Sequence, residues 1–358
     1  MITSLSSSVR RSRVASLGPL LPLTLIMVAC GPRRGVTVGD RDDIVVAAEP
    51  SLWKQVQDRV NASLQPRLFG IPNSRAFQVT YQDPLGEEWS GPRHNLQVLL
   101  IGEPQDAWVV DALARARGAP SVIPPAPALF ELEDVWAREQ QVMVLLLPPT
   151  DPGHYVIDRL GELSAHYERR YREGVVGRMF AEGTGQAPWD TIMGESGFNV
   201  LVPRDYERSK HGDVYLFRKT GTDSLETIRH VTVTWRTPIP QDLQGGGMLR
   251  LRRQLAAEHF GSRQTVSRRN ILASQTTHQG NITYQLLGMW DNPRSSRGGP
   301  TRGPFILRAE ICQSQDRMYL LDGWLYAPEQ NQHEYMVELE SIMNSFRCGS
   351  ARPYTANR

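Results

Sequence analysis

The first thirty residues have a pattern of their own, and it constrains where the rest of the chain folds. Arg10, Arg11 and Arg13 precede an uncharged, largely apolar run over residues 14–29, and Cys30 follows directly. A basic start, a short apolar run and a small residue before the cleavage position are typical of a signal peptide. The cysteine at that position indicates a lipoprotein, because its thiol can carry a thioether-linked lipid. We therefore predict that residues 1–29 are a lipoprotein signal peptide and that Cys30 is the lipidation site.

The alternatives are an uncleaved membrane anchor and an ordinary secretory signal. The apolar run is shorter than the roughly twenty residues that a spanning helix needs, and Pro19 and Pro22 interrupt it. Gly31, rather than an acidic residue, follows the cysteine, which favours sorting to the outer membrane. We expect a lipid-anchored protein of the cell envelope that faces the periplasm.

The charge balance gives no indication of a nucleic-acid partner. The chain has 40 Lys and Arg against 38 Asp and Glu, so it lacks the strong positive charge that such proteins carry. No second apolar run is long enough to span a bilayer. The expected partners are the membrane, through the lipid, and an envelope protein or a cell-wall component.

Two cysteines remain once Cys30 is assigned to the lipid. Cys312 and Cys348 form an even pair, and an oxidising compartment favours a disulfide between them. The alternative is two separate buried thiols.

The hydrophobic pattern predicts an α+β protein made of two sequential α/β sandwich halves with largely antiparallel sheets. A polar tether over residues 30–42 leads into an N-terminal domain over 43–181. Apolar runs predict strands at 44–48, 76–81, 96–101 and 142–147, and helical spacing predicts helices at 51–64, 106–117 and 155–171. This order indicates helices on one face of a sheet. Ser51 is expected to cap the first helix.

A stretch rich in glycine, residues 182–197, is predicted to link the halves. The C-terminal domain over 198–348 has seven predicted strands, a helix over 248–260 and a closing helix over 332–346, followed by a tail over 349–358. The closing helix carries one apolar stripe that is expected to pack in the core: Met336, Leu339, Ile342, Met343 and Phe346.

Several short motifs, in this order and spacing, resemble an uncharacterised bacterial envelope lipoprotein family, the domain of unknown function DUF4837. They include Trp136-Ala137-Arg138-Glu139-Gln140, Pro203-Arg204-Asp205-Tyr206, Gly288-Met289-Trp290 and Asp322-Gly323-Trp324-Leu325-Tyr326. The resemblance implies an envelope location and no mechanism. The second half also looks like the Mog1/PsbP-type α/β/α sandwich, a shape found in assembly and stability factors, but fold alone does not establish function.

No motif predicts a metal site, a cofactor or a catalytic residue. The eight histidines form none of the usual zinc strings. Ser51 and Lys54 form an S-x-x-K pattern, and Lys219-Thr220-Gly221 matches the K-T-G of penicillin-recognising enzymes. An envelope serine hydrolase or acyl-transfer enzyme that uses Ser51 and Lys54 is therefore the alternative to a non-catalytic binding or assembly role.

The best candidate for a ligand site is the end of one predicted strand and the loop after it. Trp290 precedes Arg294, Arg297 and Arg302, with glycines between them. An exposed tryptophan beside arginines suits a sugar or an anionic partner. The alternative is a tryptophan packed into the sheet edge beneath a solvated loop.

Overall fold

A computed structural model describes the chain from Gly35 onward, apart from short gaps. The described residues are 35–68, 75–118, 120, 122–184, 187–221, 227–243, 245–260, 264–293, 295, 300–328 and 332–349. The predicted signal peptide, Cys30, Arg294, Arg297 and most of the predicted tail lie outside them. Residues from Gly35 onward form one compact unit. In the described part of the chain, no helix is both long enough and apolar enough to cross a membrane.

The first half alternates strands and helices. Its elements are β1 (Gly35–Val36), β2 (Asp43–Ala47), α1 (Pro50–Leu64), β3 (Gln78–Gln82), β4 (Gln97–Gly102), α2 (Ala107–Arg115), β5 (Ala128–Glu133), β6 (Ala137–Arg138), β7 (Gln141–Leu146) and α3 (Pro152–Met179). Short 3₁₀ helices occupy Glu87–Ser90 and Pro92–His94. Glu49, rather than Ser51, caps α1, because its carboxylate accepts a hydrogen bond from the amide of Leu52 at 3.0 Å.

The first sheet has the order β3-β2-β4-β7-β5. The α+β class is as predicted, but this sheet is not largely antiparallel. The pairings β2–β3, β2–β4 and β4–β7 are parallel, and only β5 runs antiparallel to its neighbour β7. Helices also cover both faces rather than one. The physical reason is that β2, β4 and β7 are apolar at nearly every position, so neither face can be left to water.

Each face of this sheet packs in its own core. Ile44, Leu99 and Leu145 point towards α1 and α3. Val98 and Val144 point towards α2 on the other face.

The second half contains the larger sheet. Its elements are α4 (Ala187–Glu195), β8 (Phe198–Asn199), β9 (Glu207–His211), β10 (Val214–Thr220), β11 (Ile228–Arg236), α5 (Gly245–His259), β12 (Thr265–His278), β13 (Asn281–Asn292), β14 (Thr301–Cys312), a 3₁₀ helix Gln313–Gln315, β15 (Arg317–Tyr326), α6 (Gln332–Asn344) and β16 (Arg347–Cys348). The sheet order is β12-β13-β14-β15-β11-β10-β9, and every pairing is antiparallel, as predicted.

The two faces of the larger sheet are covered by different helices, which makes an α/β/α sandwich. On one face lies α6, whose predicted stripe is buried at Leu339, Ile342, Met343 and Phe346 and partly buried at Met336. The other face is covered by α5, with Leu255 and Phe260 buried. A disulfide joins Cys312, at the end of β14, to Cys348 in β16, and their Cα atoms are 6.1 Å apart.

The two halves meet where α3 packs beside α6. Arg172 Nη1 lies 2.6 Å from Glu340 Oε2, and Arg178 Nη2 lies 2.5 Å from Glu334 Oε1. Val337 of α6 is buried within the core of the first half. The stretch predicted as a linker, residues 182–197, contains α4, whose Met193 is buried in the core of the second half.

Candidate functional site

A polar cleft opens where the parallel strands of the first sheet begin. Its volume is about 770 Å³. Asp43 and Gln78, the first residues of β2 and β3, line one side. The other side is formed by Tyr171 and Arg178 of α3 and by Glu334 at the start of α6. The cleft therefore lies where the two halves of the molecule meet.

A smaller recess of about 280 Å³ continues the cleft along the same sheet edge. Arg41, Tyr171 and Arg178 line both spaces. The recess extends to Gln97 and Gln141, the first residues of β4 and β7. The two spaces together form a groove along the amino ends of all four parallel strands.

The length of α3 explains why a groove forms at this edge. A helix of 28 residues is about 42 Å long, whereas strands of five or six residues span only about 17–20 Å. The last turns of α3 therefore extend beyond the strand starts and form a wall. Its ion pairs with α6 hold the first turn of that helix against the same opening.

The walls carry charges of both signs. Arg178 pairs with Glu334, and Arg170 Nη2 lies 3.2 Å from Glu131 Oε1. Arg41 and Arg75 are exposed, and among the described residues neither has a carboxylate within ion-pair distance. Arg75 Nη1 donates a hydrogen bond to Gln65 Oε1 at 2.6 Å. Two guanidinium groups therefore face the cleft without a neutralising carboxylate in the described chain.

Carboxylates also line the cleft directly beside Arg41, around Asp42. Burial raises the pKa of the Asp42 carboxyl, a hydrogen bond with its own backbone opposes this shift, and the neighbouring carboxylates Asp43, Asp40 and Glu334 raise the pKa further. The cleft thus presents side chains of both charges.

The floor of the cleft is aromatic and rigid. The ring of Tyr171 stacks on that of His333, with centroids 4.8 Å apart and planes 3° from parallel, and Phe77 meets Tyr171 edge-on at 5.7 Å. Burial is the largest cause of the lowered pKa of His333, which favours the neutral imidazole. These rings fix the distance between the strand starts and α6.

Trp290 does not offer a ligand surface, so this part of the predicted site is wrong. Its side chain is 2% exposed, its indole Nε1 donates to the carbonyl oxygen of Leu325 at 3.1 Å, and its ring packs edge-on against Trp324 at 5.5 Å. Arg302 is exposed, with Nε 3.8 Å from Asp291 Oδ1. Arg294 and Arg297 lie outside the described residues, so their role stays a prediction.

The Ser51 and Lys54 pattern does not form a nucleophile–base pair in the described residues. The hydroxyl of Ser51 donates to the carboxylate of Glu49, and no hydrogen bond joins it to Lys54, which is exposed. Ser51 follows the carboxyl end of β2, at the edge of the sheet opposite the cleft. Lys219 lies elsewhere, in an ion cluster with Asp205 at 2.5 Å and Glu338 at 3.5 Å. Within the described ranges, no three His, Cys, Asp or Glu side chains are grouped to hold a metal ion.

No motif in the sequence indicated the cleft. Its residues come from widely separated segments around Asp40, Gln78, Gln97, Tyr171 and Glu334. β2, β4 and β7 each start with a polar residue before an apolar run, and this is the one local signal that could have located the edge.

Solved structures that resemble part of the chain have low sequence identity to it. The Ran-binding protein Mog1p of Saccharomyces cerevisiae is 11% identical over 43% of this chain and 91% of its own, with a TM-score of 0.30. LpqN, involved in cell envelope biogenesis of Mycobacterium tuberculosis, is 12% identical over 42% of this chain and 81% of its own, with a TM-score of 0.27. No curated protein sequence matches the chain.

The sequence match to a family lies in the second half of the chain, over the segment that contains α4, the larger sheet and α6. There the resemblance read from the motifs is confirmed: residues 186–345 match the profile of the family described as Domain of unknown function (DUF4837).

Proposed function

We propose that the protein is a lipoprotein of the cell envelope, anchored through Cys30, that binds a polar partner in the cleft and does not catalyse a reaction. The observation that carries the binding role is the groove of mixed charge along the amino ends of β2, β3, β4 and β7. It is large enough for a small ligand or a short chain segment, since ligand pockets commonly measure about 300–1,000 Å³.

The envelope address is supported by two independent features. The run of residues 14–29 before Cys30 has the lipoprotein pattern. The disulfide between Cys312 and Cys348 suits an oxidising compartment outside the cytoplasm.

A lipid on Cys30 would hold the cleft close to the membrane. Four residues lie between Cys30 and Gly35, and the five residue steps between the two span at most about 18 Å. Gly35 starts β1, which pairs with β6, and Glu139 directly after β6 lines the smaller recess. The folded part of the chain therefore begins beside the groove, so the protein would bind its partner close to the membrane surface.

The charges indicate which partner fits. Arg41 and Arg75 suit a carboxylate or a phosphate, and Asp40 and Asp43, which also line the cleft, suit an ammonium group. A peptide segment or a peptide-bearing cell-wall component carries both kinds of group. An uncharged apolar ligand would leave these side chains desolvated without compensation, which is unfavourable.

Site-specific photo-crosslinking in intact cells tests this proposal. A photoreactive amino acid at Gln78, which lines the cleft, is compared with the same amino acid at Thr80, an exposed position on the same strand outside the cleft. We expect a discrete adduct from position 78 and none from position 80. Equal labelling at both positions, or none at either, would contradict the binding role of the cleft.

Charge reversal provides the matched control. Arg41→Glu together with Arg75→Glu should abolish the adduct from position 78, because both guanidinium groups face the cleft. Arg59→Glu changes an exposed arginine of α1 that does not line the cleft, and it should leave the adduct unchanged. An adduct that survives the double reversal would show that the bound group does not use these charges.

A further inference from the structure

β12 is one of the two edge strands of the larger sheet, and nothing in the described chain pairs with its outer side. β12 pairs with β13 alone among the described residues. Its six positions 272–277 are all exposed, on both faces of the sheet. Such an edge presents a row of unpaired backbone N–H and C=O groups that can accept another strand.

The hairpin geometry identifies which backbone groups point outward. Gln279 and Gly280 both have positive φ, +50° and +86°, so the β12–β13 turn has two residues and is of type I′. In such a hairpin the flanking pair, His278 and Asn281, is hydrogen-bonded, and the pairs alternate from there along the strands. Residues 271, 273, 275 and 277 therefore fall in non-hydrogen-bonded pairs, and their N–H and C=O groups point away from β13.

The two edge strands of the sheet differ in whether their side chains oppose pairing with another strand. The opposite edge, β9, carries Glu207, Arg208 and Lys210, and charged side chains on an edge discourage strand pairing. The run 271–277 of β12, by contrast, has the sequence Ile-Leu-Ala-Ser-Gln-Thr-Thr, with no charge and no proline. A strand that pairs along residues 271–277 meets neither a charged side chain nor a missing backbone donor.

We propose that this edge binds a second copy of the same strand, so that the protein forms a two-fold dimer through β12. Antiparallel pairing centred on Ser274 puts Ile271 opposite Thr277 of the other copy and Ala273 opposite its Gln275. In this register every outward-pointing residue meets another outward-pointing residue, and each such pair exchanges two hydrogen bonds. Because the shared edge is consumed by the pairing and β9 is charged, the assembly closes at two copies.

The hairpin is held rigidly for such pairing. His278 Nδ1 lies 2.9 Å from Glu310 Oε2, and its Nε2 lies 2.9 Å from the backbone carbonyl oxygen of Asn344 in α6. Asn281 Nδ2 donates to Glu310 Oε1 at 3.3 Å. The end of the edge strand is therefore fixed to β14 and α6, which lowers the entropy cost of adding a strand.

A cysteine on the two-fold axis tests the proposal in the full chain. Ser274 would face Ser274 of the second copy in a non-hydrogen-bonded pair, where Cα atoms lie only about 4.5 Å apart, close enough for a disulfide. We expect full-length Ser274→Cys in native envelopes to run as a covalent dimer on a non-reducing gel. Ser209→Cys, an exposed serine on the charged β9 edge, is the matched control and should remain monomeric.

Charge variants give a second and non-covalent measurement. Ser274→Lys brings two ammonium groups together on the axis, and it should weaken self-association of the detergent-solubilised full chain at least about tenfold. Ser274→Glu should have the same effect, whereas an equal mixture of the two variants should recover the dimer. A monomeric Ser274→Cys protein, crosslinking of Ser209→Cys to the same extent, or an adduct with a different protein would each overturn the proposal.

Discussion

The carboxylate of Glu338 balances two cations in the interface between α6 and the larger sheet, and its removal tests what holds that helix. Arg229 Nη1 lies 2.6 Å from Glu338 Oε2, and Lys219 Nζ lies 3.5 Å from Glu338 Oε1. The side chains of Glu338 and Arg229 are only 5% and 10% exposed. Glu338→Gln keeps the shape of the side chain but leaves a buried guanidinium and a nearby ammonium without their shared counter-charge.

The expected loss of unfolding free energy depends on which charge each variant leaves without a partner. Breaking a buried ion pair by removing one partner costs about 3–5 kcal/mol of unfolding free energy, so we expect a loss in this range for Glu338→Gln. Arg229→Met should cost less, about 2–3 kcal/mol, because Lys219 still balances the carboxylate. Lys219→Met should cost about 1 kcal/mol or less, since Lys219 is 23% exposed and also pairs with Asp205.

Urea unfolding of the disulfide-intact protein, followed by tryptophan fluorescence, measures these differences. The double variant Glu338→Gln/Arg229→Met should lose about 1–3 kcal/mol less than the sum of the single losses, because the two side chains share one interaction. Glu334, which lines the cleft, lies one helical turn before Glu338 in α6. The single variant Glu338→Gln should therefore also weaken photo-crosslinking from position 78. An Arg229→Met loss larger than that of Glu338→Gln, or additive losses, would refute this reasoning.

Four further outcomes are expected. Cys30→Ala should abolish incorporation of labelled palmitate, and unchanged labelling would end the lipoprotein assignment. Cys312 and Cys348 should resist alkylation until reduced, and replacing both by alanine should cost about 4 kcal/mol in the chain-entropy estimate for a 36-residue separation. A hydrogen bond to the Glu310 carboxylate raises the pKa of His278 above 6.5, so the protonated ring should stabilise the fold fully below pH 6.5 and lose this effect as pH rises through the raised pKa. His278→Gln should remove this pH dependence of the unfolding free energy measured in urea. Trp290→Ala should lower the unfolding free energy by about 3–5 kcal/mol, whereas a merely surface-exposed ring would cost far less.

Much of the local structure follows from the sequence because local spacing determines it. The closing helix was predicted from one apolar stripe, and the structure buries that stripe against β11 and β15. The long strands β13, β14 and β15 were found at nearly their observed positions. In contrast, the short edge strand β9 was missed, because its residues Glu207–His211 are polar and mostly exposed and give no apolar signal.

The direction of strands in the first sheet depends on information that periodicity does not contain. Continuous apolar runs such as those of β4 and β7 are typical of strands buried on both faces, and this favours a parallel sheet with helices on each side. The order of elements alone was also compatible with an antiparallel sheet. The composition of individual strands, rather than their order, carried the relevant evidence.

The cleft illustrates why a candidate binding site can be absent from every motif. A motif forms when neighbouring residues in the chain perform one task, as a nucleophile and its base do. Here Arg41 and Asp42 come from the segment before β2, and Arg75 comes from the segment before β3. Arg178 and Glu334 come from two helices in different halves of the chain. What brings them together is the excess length of α3 beyond the sheet edge and its ion pairs with α6. Shortening α3 by its last turn would remove Arg178 and its contact with Glu334, and also Met179, which packs against the core of the second half. The candidate site therefore depends on the packing of the two halves and not on any local sequence.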